Sequence, residues 1–587
     1  MNGKWIWAKT DYRKDNYAEF VAPFETFGVG AAILRIACDG IYAAYVNGVL
    51  VAFSQCADFP WYKFCDEIDI TPHCKRQNDL TVIVWHLGTD SQTYICDTAG
   101  VLFEVSENGK TLVCSGTDTL SRIQNRYKNG YCKTITAQLG YSFLYDGTVT
   151  ENGYAPSVEM PKPYTLHKRP IKPLVLQDRL PVTVQRRASS ILIDMGKEVA
   201  GFLELDIDSK AEQKLTICFG EHIADGGVRR KIGTRDFSVE YVARVGRNTY
   251  LNPLRRIAGR YLEIFCDAEV AVRYIGIRPV VYPVTVQSVS FVDPSIQKIY
   301  DVCVDTLRLC MHEHYEDCPW REQALYAMDS RNQMLCGYYA FFGSEYQRHN
   351  LLLLAKSLRK DGLLSICAPS GLDVPIPFFS LVYILQVYEY VAHTDDRSVL
   401  DEVGEVVKTI IDTFACKMDG SGLVPSFGYP CWNFYEWADE SHNDWQIERK
   451  PTDPCSCSYD LILNCMYAYV LRLYGRLTGK SVAVERMIDA IRKTFGRDGV
   501  FALSTKTNRY SQLGNALAVL IGLGDDALAA RIVSDRAMIP ATLSMKPFVY
   551  DALLTFGDTY KDYILQNIRT TYGKMLQAGA TSFWETE

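Results

Sequence analysis

The sequence predicts a multidomain protein in which two N-terminal antiparallel β-sandwich domains are followed by an all-α (α/α)6 barrel. Short apolar–polar alternations separated by turn pairs fill the first half, whereas helical windows with short connections fill the second. The chain has 587 residues, more than one hydrophobic core ordinarily serves. We therefore expect domains at residues 1–160, 161–290 and 291–587.

The first domain is predicted to be built of short strands. Between Ile33 and Phe53 apolar residues alternate with other residues, interrupted by the turn pairs Asp39-Gly40 and Asn47-Gly48, which are typical of hairpins. Either structural support or carbohydrate binding fits such a domain. The aromatic residues that could stack on sugar rings, or equally form core and hairpins, are Tyr45, Phe59, Trp61, Tyr62 and Phe64.

The second domain follows a proline-rich joint at about residues 160–173, where a linker is expected. Strand patterns return after it, for example Gly201-Phe-Leu-Glu-Leu-Asp-Ile207. Charged residues such as Arg229 and Arg230 are expected in loops between these strands. No residue pattern in this domain indicates chemistry.

The helical half begins near Asp293-Pro-Ser, and Ser295 is a candidate helix cap. Ten to twelve paired helices without heptads or a fixed period favour a closed α/α toroid over a solenoid. In a toroid, functional residues gather at one mouth, on helix starts and the loops before them. The helical windows are 294–315, 318–342, 345–358, 377–394, 397–416, 456–478, 481–495, 509–523, 525–534, 545–556 and 558–577.

Composition excludes several classes of function. The net charge is −7 and no basic run is present, which argues against nucleic-acid binding. No apolar run is long enough to span a membrane, and the N-terminus lacks a secretory signal pattern. The 19 cysteines lie mostly in apolar stretches, as reduced thiols do, so we expect a cytoplasmic protein.

Neither a metal nor a cofactor is expected. Cys455 and Cys457 have no partner pair at zinc spacing. His312 and His314 are two residues apart, and such side chains diverge on a helix.

The stretch Asp317-Cys-Pro-Trp-Arg-Glu322, with Asp329 after it, carries the densest chemistry. Pro319 suits the first position of a helix, and Asp317 is a candidate cap for it. In such a helix Glu322 and Asp329 would point the same way two turns apart. The alternative is that Asp317 caps the helix, Arg321 pairs with an acid, and Glu322 and Asp329 face water.

Two further segments combine tryptophans with acids. A loop carries Trp432, Glu436 and Trp437, and the end of the chain carries Trp584 and Glu585. Indole faces that stack on a sugar and carboxylates that accept hydroxyl protons make a sugar-binding surface. The loop could equally be a staple at the barrel rim, and Glu585 could be a solvated residue.

These segments together resemble the α-L-rhamnosidases, glycoside hydrolase family 78. Asp317–Glu322 with Asp329 resembles the active-site motif of that family, and Gly579-Ala-Thr-Ser-Phe-Trp-Glu585 resembles its second catalytic segment. Phe434-Tyr-Glu436-Trp437 is similar to its aromatic–acidic loop, where the family has Asp in place of Glu436. Tyr510-Ser-Gln-Leu-Gly-Asn515 is similar to one of its helices.

The resemblance implies an inverting exo-glycosidase that removes terminal α-L-rhamnose from small glycosides or oligosaccharides. It implies that Glu322 is the general acid and Glu585 the general base. It also implies a set of substrate-binding residues, which hold the sugar hydroxyls or contact the methyl group of rhamnose. These residues are Asp317, Arg321, Asp329, Trp432, Glu436, Trp437 and Trp584. The expected partner is a rhamnose-containing glycoside, and a homodimer is an option.

One departure from the family concerns the C-terminus. The sequence stops two residues after Glu585, whereas the family continues through a histidine-bearing segment into a further β-sandwich, which we expect to be absent here. Two other functions stay open. One is a different α/α-barrel carbohydrate enzyme, such as a phosphorylase or another deoxysugar glycosidase, and the other is a non-catalytic carbohydrate-binding protein.

Overall fold

The computed structural model describes residues 1–162, 164–443 and 458–586. A mostly β N-terminal region is followed by a helical C-terminal region, as the sequence predicts. The chain divides into two compact units. The β unit comprises residues 1–284, 308–324 and 369–371, and the helical unit comprises residues 285–307, 325–368 and 372–587.

Two sheets form the first part of the β unit, and their apolar faces share one core that includes Trp7, Phe20, Ile36, Val84 and Phe103. In spatial order the first sheet contains Val158–Glu159, Ile6–Trp7, Val101–Glu107, Ala32–Cys38, Lys63–Asp69 and Leu166–Lys168, with Lys110–Cys114 beside Val101–Glu107. The second contains Ala155–Pro156, Leu120–Ile123, Asn16–Glu25, Gln77–His86, Ile41–Val46 and Val49–Phe53.

The two turn pairs predicted in this region differ in outcome. Asn47 and Gly48 have φ of 52° and 80° and join two paired strands, as a hairpin turn of this type requires. Asp39-Gly40 is not a hairpin, because the strands on either side of it belong to different sheets. Gly40 has φ of 105°, and a Cβ there would lie 2.1 Å from the carbonyl oxygen of Trp85, so glycine allows this close crossover.

The aromatic residues of the loop after Phe53 divide between core and surface. Phe59 and Phe64 are buried, and Tyr62 stacks on His167 with ring centroids 3.8 Å apart. Trp61 alone among these residues is strongly exposed, at 61%. The cluster is therefore largely structural.

A third sheet forms the rest of the β unit. In spatial order it contains Leu144–Asp146, Ser238–Ala243, Gln213–Gly220, Gly246–Phe265, Ser190–Ser209, Val270–Val281 and Val175–Leu176, with Thr183–Arg186 beside Ser190–Ser209. Three short hairpins accompany it, Thr134–Thr136 with Gly140–Tyr141, Ile223–Ala224 with Gly227–Val228, and Lys231–Ile232 with Arg235–Asp236. Its core includes Leu203, Ile217, Leu262 and Ile277.

Eleven α-helices lie in the described part of the helical region, and each falls within or close to a predicted window. They are α1 Pro294–Leu309, α2 Ala327–Ala340, α3 Glu345–Lys356, α4 Pro377–Thr394, α5 Val399–Lys417, α6 Leu461–Thr478, α7 Glu485–Phe495, α8 Gln512–Leu520, α9 Asp526–Ser534, α10 Lys546–Leu554 and α11 Lys561–Gln577. Two short strand pairs accompany them, Thr285–Val286 with Phe341–Phe342 and Gly496–Arg497 with Val500–Phe501.

Alternate helices pack in series, α2 on α4, α4 on α6, α6 on α8 and α8 on α10. Several odd-numbered helices contact this series, for example α3 on α4, α7 on α6 and α9 on α8. Thirteen of the 18 residues of α4 are buried, whereas α7 buries only Met487, Ile488, Ile491 and Phe495. No described helix has both the length and the apolar character needed to cross a bilayer.

Candidate active site

Residues 317–324 form a closed turn, not the start of a helix. The backbone N–H of Asp317 donates to the carbonyl oxygen of Ala324 at 3.0 Å, and the Asp317 carboxylate accepts from the N–H of Ala324 at 3.0 Å. Gln323 closes the turn from inside, with φ of 55° and its side-chain amide donating to the Pro319 carbonyl at 2.6 Å. The predicted helix start at residue 318 is therefore wrong, because these hydrogen bonds hold the backbone away from helical geometry.

The turn is fixed to the third sheet of the β unit by Trp320. This side chain is 4% exposed and belongs to the core of that sheet. Its ring lies 4.3 Å from that of Phe237 and 6.0 Å from the imidazole of His222. The hydroxyl of Thr136 adds a hydrogen bond to the carbonyl of Arg321 at 3.0 Å.

The Glu322 side chain stands on this fixed turn and is 18% exposed. Its Oε1 lies 3.5 Å from the amide nitrogen of Gln138 and 4.0 Å from a guanidinium nitrogen of Arg235. All three residues belong to the β unit. A carboxyl group that is partly accessible and meets two N–H donors can exchange a proton with a bound molecule.

Asp329 lies in the first turn of α2, which begins at Ala327 and has Tyr326 as its N-cap residue. Glu322 lies before this helix, so the expectation that Glu322 and Asp329 lie two turns apart on one helix is wrong. Asp317 likewise does not cap this helix. The helix starts ten residues later than Asp317 because the closed turn and the extended Leu325-Tyr326 segment intervene.

The aromatic loop, residues 432–443, brings four rings together. The Trp437 ring lies 4.7 Å from Phe434, 5.5 Å from His442 and 5.9 Å from Trp432. The indole N–H of Trp432 donates to the carbonyl of Asn443 at 3.0 Å, which fixes its orientation. Trp437 is 58% exposed, so one indole face is available to a ligand. The loop is thus both internally packed and accessible.

Glu436 points into the helical unit and is 1% exposed. Its Oε2 accepts from the backbone N–H and the hydroxyl of Thr542 at 2.8 and 3.0 Å. Its Oε1 has no hydrogen-bond partner in the described part of the chain. Burial raises the pKa of Glu436 to about 7, although the Thr542 hydrogen bonds and the charge of Lys546 act to lower it.

The C-terminal segment is anchored just before Glu585. Gly579, with φ of 87°, ends α11 as a left-handed cap, and its N–H donates to the carbonyl of Leu576 at 3.0 Å. The backbone N–H of Phe583 donates to the Thr306 hydroxyl at 3.0 Å. Trp584 and Glu585 follow this anchor and are exposed.

The histidine and cysteine pairs considered for a metal have different outcomes. His312 is buried, with Nδ1 3.1 Å from Glu316 Oε1 and Nε2 3.1 Å from the Val280 carbonyl, while His314 Nδ1 lies 2.7 Å from the Tyr315 carbonyl. The two histidines therefore serve separate structural contacts. Cys455 and Cys457 lie outside the described residues.

The residues predicted for the site fall into two groups. Three lie on the closed turn of the β unit, and the rest lie in the helical unit on α2, the aromatic loop and the C-terminal segment. Sequence reasoning missed Gln138 and Arg235, which contact Glu322 from two hairpins. Nothing local could have indicated them, because 184 residues separate Gln138 from Glu322.

Comparison with known proteins identifies the family. Residues 285–586 match the bacterial α-L-rhamnosidase six-hairpin glycosidase domain, and residues 184–276 match the bacterial α-L-rhamnosidase concanavalin-like domain. No curated protein matches the chain.

Solved rhamnosidase structures share the fold. A glycoside hydrolase family 78 rhamnosidase of Bacillus sp. GL1 superposes with a TM-score of 0.89 at 18% identity, over 100% of this chain and 88% of that one. The α-L-rhamnosidase of Dictyoglomus thermophilum gives 0.76 at 15%, over 100% and 71%. That of Streptomyces avermitilis, complexed with L-rhamnose, gives 0.74 at 16%, over 98% and 58%. The chain belongs to the α-L-rhamnosidase family, glycoside hydrolase family 78, and is a glycoside hydrolase.

Proposed function

We propose that this protein hydrolyses terminal α-L-rhamnosides of small glycosides or oligosaccharides with inversion at the anomeric carbon. Glu322 protonates the leaving oxygen, and Glu585 activates the attacking water. Inverting enzymes keep their two carboxyl groups about 6.5–9.5 Å apart to leave room for that water. We further propose that the helical region is an (α/α)6 barrel preceded by two β-sandwiches, with domains near 1–160, 161–290 and 291–587, and that the reaction is cytoplasmic.

The observation that carries this proposal is the closed turn bearing Glu322. A general acid must keep a defined position relative to the glycosidic oxygen, since a displacement of about 1 Å costs about 100-fold in rate. The Asp317–Ala324 hydrogen bonds and the buried Trp320 ring fix the turn, while the Glu322 carboxyl stays partly accessible. Those are the properties that proton donation to a bound glycoside requires.

The exposure of Glu585 is compatible with its proposed role. A general base must reach a water molecule, and the exposed Glu585 carboxyl meets that condition. The anchor at Phe583 limits how far the two residues after it can move.

The binding roles we propose follow from side-chain chemistry. Asp317, Arg321 and Asp329 bind sugar hydroxyls, and Glu436 contributes through Oε1, its oxygen without a partner in the described chain. Indole faces suit the C6 methyl group of rhamnose, because that group offers no hydroxyl to a polar partner. We assign this contact to Trp432, Trp437 and Trp584.

The test uses p-nitrophenyl glycosides and proton NMR of the first product formed. We expect hydrolysis of the α-L-rhamnoside without added phosphate, and release of β-L-rhamnose before mutarotation. Glu585→Gln should lower kcat for the p-nitrophenyl rhamnoside at least about 100-fold, whereas Glu322→Gln should cause a loss of that size only with an alkyl or sugar rhamnoside, whose leaving group needs the acid. Glu405→Gln, which removes an exposed carboxylate of α5, is the matched control and should retain activity.

Four results would contradict the proposal or part of it. Release of α-L-rhamnose would show retention, dependence on phosphate would show a phosphorylase, and binding without turnover would show a carbohydrate-binding protein. Wild-type activity of Glu585→Gln would remove that residue from the mechanism.

A further inference from the structure

We propose that Gln138 and Arg235 are positioning residues that orient the Glu322 carboxyl for proton donation. This inference rests on the proposed role of Glu322 as the general acid. It assigns part of the acid machinery to two hairpins of the β unit, which carry none of the residues that resemblance to the family implicates.

The two contacts converge on one carboxyl oxygen. The Gln138 amide Nε2 lies 3.5 Å from Glu322 Oε1, and Arg235 Nη2 lies 4.0 Å from the same atom. An amide N–H donates only, so Oε1 accepts from Gln138, while the Arg235 guanidinium is an ion-pair partner beyond hydrogen-bond distance. A protonated carboxyl that accepts at one oxygen carries its proton on the other. The Gln138 hydrogen bond therefore directs the Glu322 proton to Oε2, and the Arg235 charge stabilises the carboxylate left after transfer.

Gln138 lies in the turn of the hairpin that pairs Thr134–Thr136 with Gly140–Tyr141. The Thr136 hydroxyl accepts from the N–H of Leu139 at 2.9 Å and donates to the carbonyl of Arg321 at 3.0 Å. One hydroxyl thus joins the hairpin end to the backbone next to Glu322. The Leu139 carbonyl in turn accepts from the buried Arg255 at 3.2 Å. These contacts hold the hairpin that carries Gln138 against the turn that bears the acid.

Arg235 is held by a second hairpin, which pairs Lys231–Ile232 with Arg235–Asp236. The Asp236 carboxylate accepts two hydrogen bonds from Arg230 at 2.9 and 3.0 Å, which leaves Arg235 outside that ion pair. The next residue, Phe237, packs against Trp320. The chain two residues after Arg235 therefore contacts the turn that carries Glu322.

The expected effects on stability and on rate distinguish a positioning role from a purely structural one. The Arg235 and Glu322 side chains are 29% and 18% exposed, and ion pairs with solvent access contribute about 0–1 kcal/mol to stability. Loss of general-acid assistance costs about 100-fold to about 10,000-fold in rate. Removing these contacts should thus affect proton donation much more than folding.

The experiment exploits the different needs of two leaving groups. A p-nitrophenolate leaves with little protonation, whereas an alkoxide from a methyl or sugar rhamnoside leaves only with acid assistance. We expect Gln138→Ala and Arg235→Gln each to lower kcat/KM for the alkyl rhamnoside at least about 10-fold, and that for the p-nitrophenyl rhamnoside less than about 3-fold. Arg235→Lys, which keeps a cationic donor, should recover part of the loss.

The matched control is Lys231→Gln, which removes an exposed cation from the same hairpin and should leave both substrates unaffected. Thermal unfolding of every variant checks the fold. Glu322→Gln separates the two hypotheses. If it shows the selective loss but the Gln138 and Arg235 variants do not, only the positioning role is overturned. If Glu322→Gln lowers both substrates equally, Glu322 is not the acid and both hypotheses fail.

Discussion

Replacing Glu436 with glutamine should make thermal stability less dependent on pH. Burial raises the pKa of this carboxyl to about 7, from an ordinary value of 4.5. The folded protein therefore holds a proton that the unfolded chain releases above about pH 4.5. The contribution of this protonated carboxyl to the free energy of unfolding of the wild type is fully present below about pH 4.5. It is lost as the pH rises through about 7. Glutamine does not titrate, so the variant lacks this contribution.

The magnitude follows from the two pKa values. At about 1.4 kcal/mol per pKa unit, the interval between 4.5 and about 7 corresponds to about 3 kcal/mol, of which about 2.5 kcal/mol is lost between about pH 5 and about pH 8. In the variant the NH2 group of glutamine replaces Oε1 and is buried without a hydrogen-bond acceptor among the described residues. This adds a cost of about 1–3 kcal/mol that is independent of pH. The change with pH, not the offset, is therefore the quantity to measure.

Differential scanning calorimetry across this pH range measures the effect. The melting temperature of Glu436→Gln minus that of the wild type should increase by about 5 °C from the acidic to the alkaline end, at about 2 °C per kcal/mol for a unit of this size. Glu440→Gln removes an exposed carboxylate from the same loop and should give no such trend. Parallel curves for Glu436→Gln and the wild type would refute the reasoning, because they would show that Glu436 is ionised in both states.

Two further predictions concern stability. Arg331 is 2% exposed and binds both carboxylate oxygens of Glu389, so Arg331→Met should cost about 3–5 kcal/mol by leaving a buried charge unpaired. Adding Glu389→Leu should restore part of that loss in chemical denaturation, and no restoration would contradict the pairing argument. Gly201→Ala should prevent correct folding of the β unit, because the added Cβ would lie 1.9 Å from the Arg278 carbonyl oxygen. Gly404→Ala places its Cβ where no atom lies within 4 Å, so it should stabilise α5 by about 0.5–1 kcal/mol. Circular dichroism melting of both glycine variants checks this, and equal effects would contradict it.

The helical half could be predicted well because its signal is local. Apolar spacing of three and four residues marks α4, α5 and α6 within the windows that form them. The glycine at 579 likewise indicates the end of α11 through its own backbone requirement.

The acid motif was harder, because its conformation depends on residues distant in sequence. Pro319 and Asp317 have the chemistry of a helix start, and sequence alone favours that interpretation. The observed turn depends instead on Thr136 and Phe237, which contact it from the β unit. Asp39-Gly40 was misread for a related reason, since a turn pair does not reveal whether its two strands share a sheet.

The chain's return to the β unit at residues 308–324 limits how this enzyme can be divided. The match to the six-hairpin glycosidase domain begins at residue 285, which suggests a natural place to cut or to build a chimera. A fragment starting there would include Trp320 but not Phe237. The Trp320 indole would then be exposed, and the closed turn that bears Glu322 would lose its support. Recombination at residue 285 is therefore expected to yield an insoluble or inactive product unless the fragment also includes the third sheet.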